Sequence, residues 1–135
     1  MRIFIALFVI AFTQLSAASG KPSGKEWREL EMKFFSTCVY EGKEGVKKVI
    51  EKAKEGGYKE ELMRAKMEDG STCLHLIMDS PKVEVIKYLL EEGCDPLVIN
   101  NLGESPYHLA IVYQCYCNLR AIEDYVINRK MNSRR

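Results

Sequence analysis

Apolar side chains recur along this chain at helical spacing, separated by short polar breaks. Ile3 to Phe12 carries no polar side chain. After the polar stretch Lys21 to Gly24, Trp27, Leu30 and Phe34 fall at i, i+3 and i+7, which predicts an amphipathic helix from Lys25 to Phe35. Leu74, Ile77 and Met78 give one apolar face. After a break at Ser80-Pro81, Val83, Ile86, Tyr88, Leu89 and Leu90 give another, which Gly93 ends. Near the C-terminus Leu119, Ile122 and Val126 return to the same rhythm and predict a last helix. The pattern is that of an all-α chain built from short helices in pairs.

The pairs repeat. Asp69-Gly70-Ser71-Thr72-Cys73-Leu74-His75-Leu76 returns as Leu102-Gly103-Glu104-Ser105-Pro106-Tyr107-His108-Leu109, so that Gly70 and Gly103, Thr72 and Ser105, His75 and His108, Leu76 and Leu109 keep one register of 33 residues. In each copy a Gly permits a turn and a hydroxyl stands ready to cap the helix that follows. In the second copy Pro106 occupies the first helical position. Two short helices cannot cover their own apolar faces, so units of this kind must stack on one another.

With its repeat unit in view, the chain resembles the ankyrin repeat family. Gly93-Cys94-Asp95-Pro96 through Asn100, Gly103, Ser105-Pro106-Tyr107-His108-Leu109-Ala110 follows the family's Gly-Ala-Asp-Pro…Asp-x-x-Gly-x-Thr-Pro-Leu-His-x-Ala signature without a gap. It departs at Cys94 for Ala, Asn100 for Asp, Ser105 for Thr and Tyr107 for Leu, and in the preceding copy Cys73 stands for Pro. Upstream, Phe34, Cys38, Val46, Val49 and Ile50 match Leu74, Met78, Ile86, Leu89 and Leu90 at an offset of 40, which implies seven extra residues near Lys54 to Lys59. The resemblance implies an ankyrin-type helix-turn-helix repeat stack of about three units, with the terminal ones degenerate. The expected organisation is a signal peptide at 1–18, a linker and N-terminal capping helix at 19–33, an ankyrin repeat domain at 34–130 and a basic tail at 131–135. In the family the repeated His acts as a staple of the turn, a role this implies for both His75 and His108.

Composition narrows the function. A chain of 135 residues with a net charge of +1 lacks the overall basic excess of a nucleic-acid binder. Arg2, the apolar run and the small residues Ser16 to Gly20 read as a secretory signal cleaved near Ala18, since a membrane helix needs about 20 apolar residues. Loss of that segment removes Arg2 alone among the charged residues, leaving nineteen basic against nineteen acidic side chains. The mature chain is therefore expected to be secreted, without membrane attachment.

Five cysteines, Cys38, Cys73, Cys94, Cys115 and Cys117, leave at least one thiol unpaired within a chain, which permits either a monomer or a cysteine-linked dimer. Cys73 and Cys94 fall at the same end of one unit and are the candidate bridge; buried, unbridged thiols fit them equally. The spacing of Cys115 and Cys117 with Cys94 and a His is not that of a zinc ribbon or finger, so no metal or other cofactor is expected. A Cys73/His75 nucleophile pair lacks a third orienting group, and no phosphate loop or Ser/His/Asp arrangement is present, so no enzyme activity is expected. A thiol-reactive secreted protein using an unpaired cysteine stands as the alternative.

In the family, connecting fingers and first helices form the binding face. By register this implies a protein-contacting set of Glu68, Asp69, Ser71, Asp79 and Ser80 in one unit and Asn101, Leu102, Glu104, Val112 and Tyr113 in the next. Leu102 and Tyr113 carry most of that inference as apolar anchors, with Tyr113 either presented to a partner or tucked inward.

Overall fold

A computed structural model describes residues 21–134, so the expected signal segment and its cleavage near Ala18 lie outside the described residues. Among these, seven helices follow in order: α1 (Gly24–Tyr40), α2 (Lys43–Gly56), α3 (Lys59–Met63), α4 (Cys73–Leu76), α5 (Val83–Glu91), α6 (Pro106–Val112) and α7 (Tyr116–Ser133). The first helices α1, α4 and α6 pack side by side in one row, and the second helices α2, α5 and α7 form a second row behind them. This is the all-α repeat stack that the 33-residue register requires.

The offset of 40 in the first unit holds. Phe34, Cys38, Val46, Val49 and Ile50 are buried, as are their counterparts Leu74, Met78, Ile86, Leu89 and Leu90. Where the seven extra residues are expected, residues 54–56 complete α2, Gly57 turns the chain at φ +76°, and Lys59 opens α3, a five-residue helix whose Leu62 and Met63 add to the core. The capping helix does not end before the first unit. It continues into α1 across the expected boundary at 33/34, because no Pro or Gly interrupts 25–40 and Trp27, Phe34 and Cys38 keep one unbroken apolar stripe. Trp27 meets Tyr58 edge to face, with centroids 5.9 Å apart and planes at 89°, so the start of α1 packs on the turn that follows α2.

Polar clasps fix the rows to each other. Asn118, fully buried on α7, donates from Nδ2 to the Ser80 carbonyl at 2.8 Å and accepts the Lys82 backbone N–H at 3.2 Å. Lys82 Nζ then donates to the carbonyls of Cys38, Val39 and Glu41 at the end of α1. The loop after α4 is thus tied to a helix from the unit on either side. Each fully buried Leu or Ile of the shared core contributes about 1.5–3 kcal/mol, so stacking is the main source of stability for helices as short as α4.

Candidate functional site

The surface of interest is made by two fingers, the turns preceding α4 and α6, and by the helices themselves. The first finger is closed by the Met67 N–H donating to the Ser71 carbonyl (2.8 Å), and the second, 33 residues on, by Asn100 N–H donating to the Glu104 carbonyl (2.9 Å). Gly70 and Gly103 turn the two tips at φ +79° and +76°, a region open to glycine. The fingers also bind each other: the Asn101 N–H donates to the Asp69 carbonyl at 2.8 Å and Asn101 Nδ2 to the Glu68 carbonyl at 3.1 Å. A Cβ on Gly70 would approach Asn101 Oδ1 to 2.8 Å, whereas one on Gly103 would meet nothing within 4 Å.

His75 is the staple that the family resemblance implies. Its Nδ1 accepts the Thr72 backbone N–H at 3.0 Å and lies 3.0 Å from the Thr72 hydroxyl, forming a reciprocal cap on α4. With Nδ1 an acceptor, the proton resides on Nε2, which donates to the Glu104 carbonyl of the next finger at 2.8 Å. His108 does not repeat this role. Its backbone N–H is capped by Ser105 Oγ at 3.0 Å, but its side chain is exposed. The staple needs a carbonyl from the following finger, and among the described residues none follows α7.

Between the fingers and the first helices runs a depression of about 260 Å³ lined by Asp69, Ser71, His75, Leu76, Asp79, Asn100, Leu102, Glu104, Leu109 and Tyr113. It unites six of the sequence-expected contact residues: Asp69, Ser71, Asp79, Leu102, Glu104 and Tyr113. Leu102 is 81% exposed and Tyr113 52%, so Tyr113 faces outward rather than into the core. Ser71 requires correction. It is buried, donates from Oγ to Asp69 Oδ2 at 3.0 Å and lies 3.5 Å from Asn100 Nδ2, so it holds the finger instead of offering surface. The Ser71 backbone N–H, and then its hydroxyl, hold the Asp69 carboxyl below its ordinary value and keep it charged at the groove edge.

Glu68 lines a second groove of about 730 Å³ with Arg28, Glu31, Met32, Phe35, Lys66, Met67 and Asp69. Ser80, Asn101 and Val112 line neither. Ser80 is half-buried with its carbonyl given to Asn118, Asn101 clasps the first finger, and Val112 is exposed at the end of α6. Sequence reasoning missed the side of α1 that carries Arg28 and Met32. The available signal was Met32, an apolar residue opposite the Trp27/Leu30/Phe34 stripe, and it is 59% exposed.

Cys73 and Cys94, the candidate bridge, are both free and buried. Burial pushes the Cys94 thiol up to about 12, and its Sγ lies 3.6 Å from Met63 Sδ. The Cys73 thiol is also raised, first by burial and then by its neighbour Cys38. Both pack as small apolar residues. Among the described residues no group of three or more His, Cys, Asp or Glu is placed to hold a metal ion, and no helix is long and apolar enough to cross a membrane.

Residues 35–130 match the family model described as ankyrin repeats (3 copies). An ankyrin repeat protein of fowlpox virus (strain NVSL) is 40% identical over 43 residues, which is 32% of this chain and 7% of that protein. The match therefore covers a small part of a much longer relative. No solved structure matches.

Proposed function

The chain belongs to the ankyrin repeat family, and from that premise we propose that it binds a protein partner in the groove between its fingers and first helices. Ankyrin repeats generally serve as non-enzymatic interaction domains. What supports this groove in particular is its composition: the exposed Leu102 and Tyr113 stand over it, and the acids Asp69, Asp79 and Glu104 surround them. A partner segment that fits would carry an apolar anchor flanked by Lys or Arg. The anchor buries against Leu102 and Tyr113, and the cations meet the carboxylates at the rim.

The test uses capture of proteins from extracellular fluid by wild-type and Leu102→Asp chains, with circular dichroism as the folding control. Partners retained by wild type and lost by the variant at unchanged helicity support the groove; equal recovery removes it as the binding site. Secretion is a separate part of the proposal, supported by Arg2, the apolar run from Ile3 to Phe12 and the small residues to Gly20. Expression in secreting cells should yield a chain in the medium shortened near Ala18, as read by intact mass. Retention of the full-length chain inside the cell would overturn it.

A further inference from the structure

The five cysteines divide into two classes. Cys38, Cys73 and Cys94 are buried in the core, while Cys115 is half-buried and Cys117 exposed. The Sγ atoms of Cys115 and Cys117 lie 3.6 Å apart. Residues two apart within a helix point to different sides, so this approach needs a local cause. Cys115 is the cap preceding α7, with φ −86° and ψ 77°, outside helical geometry, and Gln114 before it is the described non-glycine residue held at positive φ, +56°. The turn between α6 and α7 therefore swings the Cys115 side chain over the first turn of α7, where Cys117 projects.

We propose that Cys115 and Cys117 are an accessible dithiol that closes to an intrachain disulfide by exchange with a glutathione-type disulfide, while the three core cysteines stay reduced. The exposed Cys117 reacts first. Its thiolate attacks one sulfur of the small disulfide, whose S–S bond breaks, and the departing thiolate takes up the proton that Cys117 gave to solvent. Cys115, deprotonated in turn, attacks Cys117 Sγ, forming the intrachain bond and releasing the second small thiol. The protein gives up two electrons and two protons, and the small disulfide is reduced to two thiols. Burial and then the contact with Cys117 raise the Cys115 thiol, which fits it to the second, intramolecular step, where proximity replaces thiolate abundance. The three core thiols lack the exposure to compete, and burial raises those of Cys73 and Cys94 further. An odd cysteine count then needs no unpaired reactive thiol: one surface pair and three packing residues account for it.

The full chain, folded and reduced, is equilibrated with oxidised and reduced glutathione, alkylated under denaturing conditions and digested with chymotrypsin. Cleavage after Tyr113 and Tyr116 separates the two cysteines onto different peptides, which stay joined only by a bridge between them. The proposal expects the joined peptides, a loss of two of the five titratable thiols, and a single glutathionyl group trapped on Cys117 in Cys115→Ser. It is overturned if Cys117 of wild type keeps its glutathionyl group at every glutathione ratio, if it pairs with another chain instead, or if a core cysteine is consumed first. Both positions are at the surface, and a circular dichroism spectrum unchanged by Cys115→Ser excludes misfolding as the origin of any result.

Discussion

Two turns one repeat apart share Gly, a capping hydroxyl, His and Leu in the same order, yet they are held differently. In the first, His75 is buried and joins Thr72 of its own unit to Glu104 of the next, and Gly70 packs against Asn101 of that next finger. In the second, His108 is exposed and Gly103 faces open space. The residues are alike, and the difference lies in what stands beyond them. In a stack, part of each unit's stabilisation is a contact made by its neighbour, so a repeated residue has a full role only where a further unit covers it.

The largest expected contrast is between the histidines. His75→Ala leaves the buried Thr72 N–H without its partner, at about 1–3 kcal/mol, and takes one of two donors from the Glu104 carbonyl, which keeps the Asn100 N–H. His108→Ala should stay within about 0.5 kcal/mol, as surface changes usually do. Urea unfolding followed by circular dichroism checks both. Comparable midpoint shifts for the two variants would mean that the outer turn is covered after all, and the comparison would fall.

The glycines sharpen the same point with a smaller difference. Gly103→Ala places a Cβ at positive φ in open space, a strain of about 1 kcal/mol. Gly70→Ala adds a collision with Asn101 Oδ1 at 2.8 Å and with its backbone nitrogen at 3.1 Å, and should cost roughly 1 kcal/mol more as the fingers separate. Equal losses in the same unfolding measurement would show that the inter-finger contact is slack.

This contrast also marks what was legible in the sequence. Register within a unit is a local property: Gly70, Thr72, His75 and Leu76 recur at 33 because each new unit needs the same turn and cap, and the fold follows from them. Even the degenerate first unit could be read, since Phe34, Cys38, Val46, Val49 and Ile50 preserve the core positions. Contacts between units leave no such trace. Ser71 is buried because Asn100 and Asp69 close over it, and His108 is exposed because, among the described residues, no finger covers it; neither fact is written at the residue itself. Of the candidate groove, the apolar anchors Leu102 and Tyr113 were readable, while the side of α1 bearing Arg28 and Met32 was hidden by a first unit that shares no turn motif with the others.

The smallest expected effect separates the two fingers by charge. In the first, the exposed Asp69 carboxylate accepts the Ser71 N–H and hydroxyl at 3.0 Å each; in the second, the neutral Asn100 Oδ1 accepts the Leu102 and Glu104 N–H groups, also at 3.0 Å. The Ser71 contacts hold the folded Asp69 carboxyl below its unfolded value, which is about 3.9. A lowered folded value means that the contribution is fully present above the unfolded one and is lost as pH falls through the folded one. Asp69→Asn should therefore lower the unfolding midpoint slightly and by a constant amount near neutral pH, because its amide nitrogen cannot accept the Ser71 hydroxyl, and the gap from wild type should close as the acid limb is descended. If the Asp69→Asn gap instead persists unchanged into the acid range, the carboxylate's charge is not what holds the first finger, and its shape alone does what the Asn100 amide does in the second.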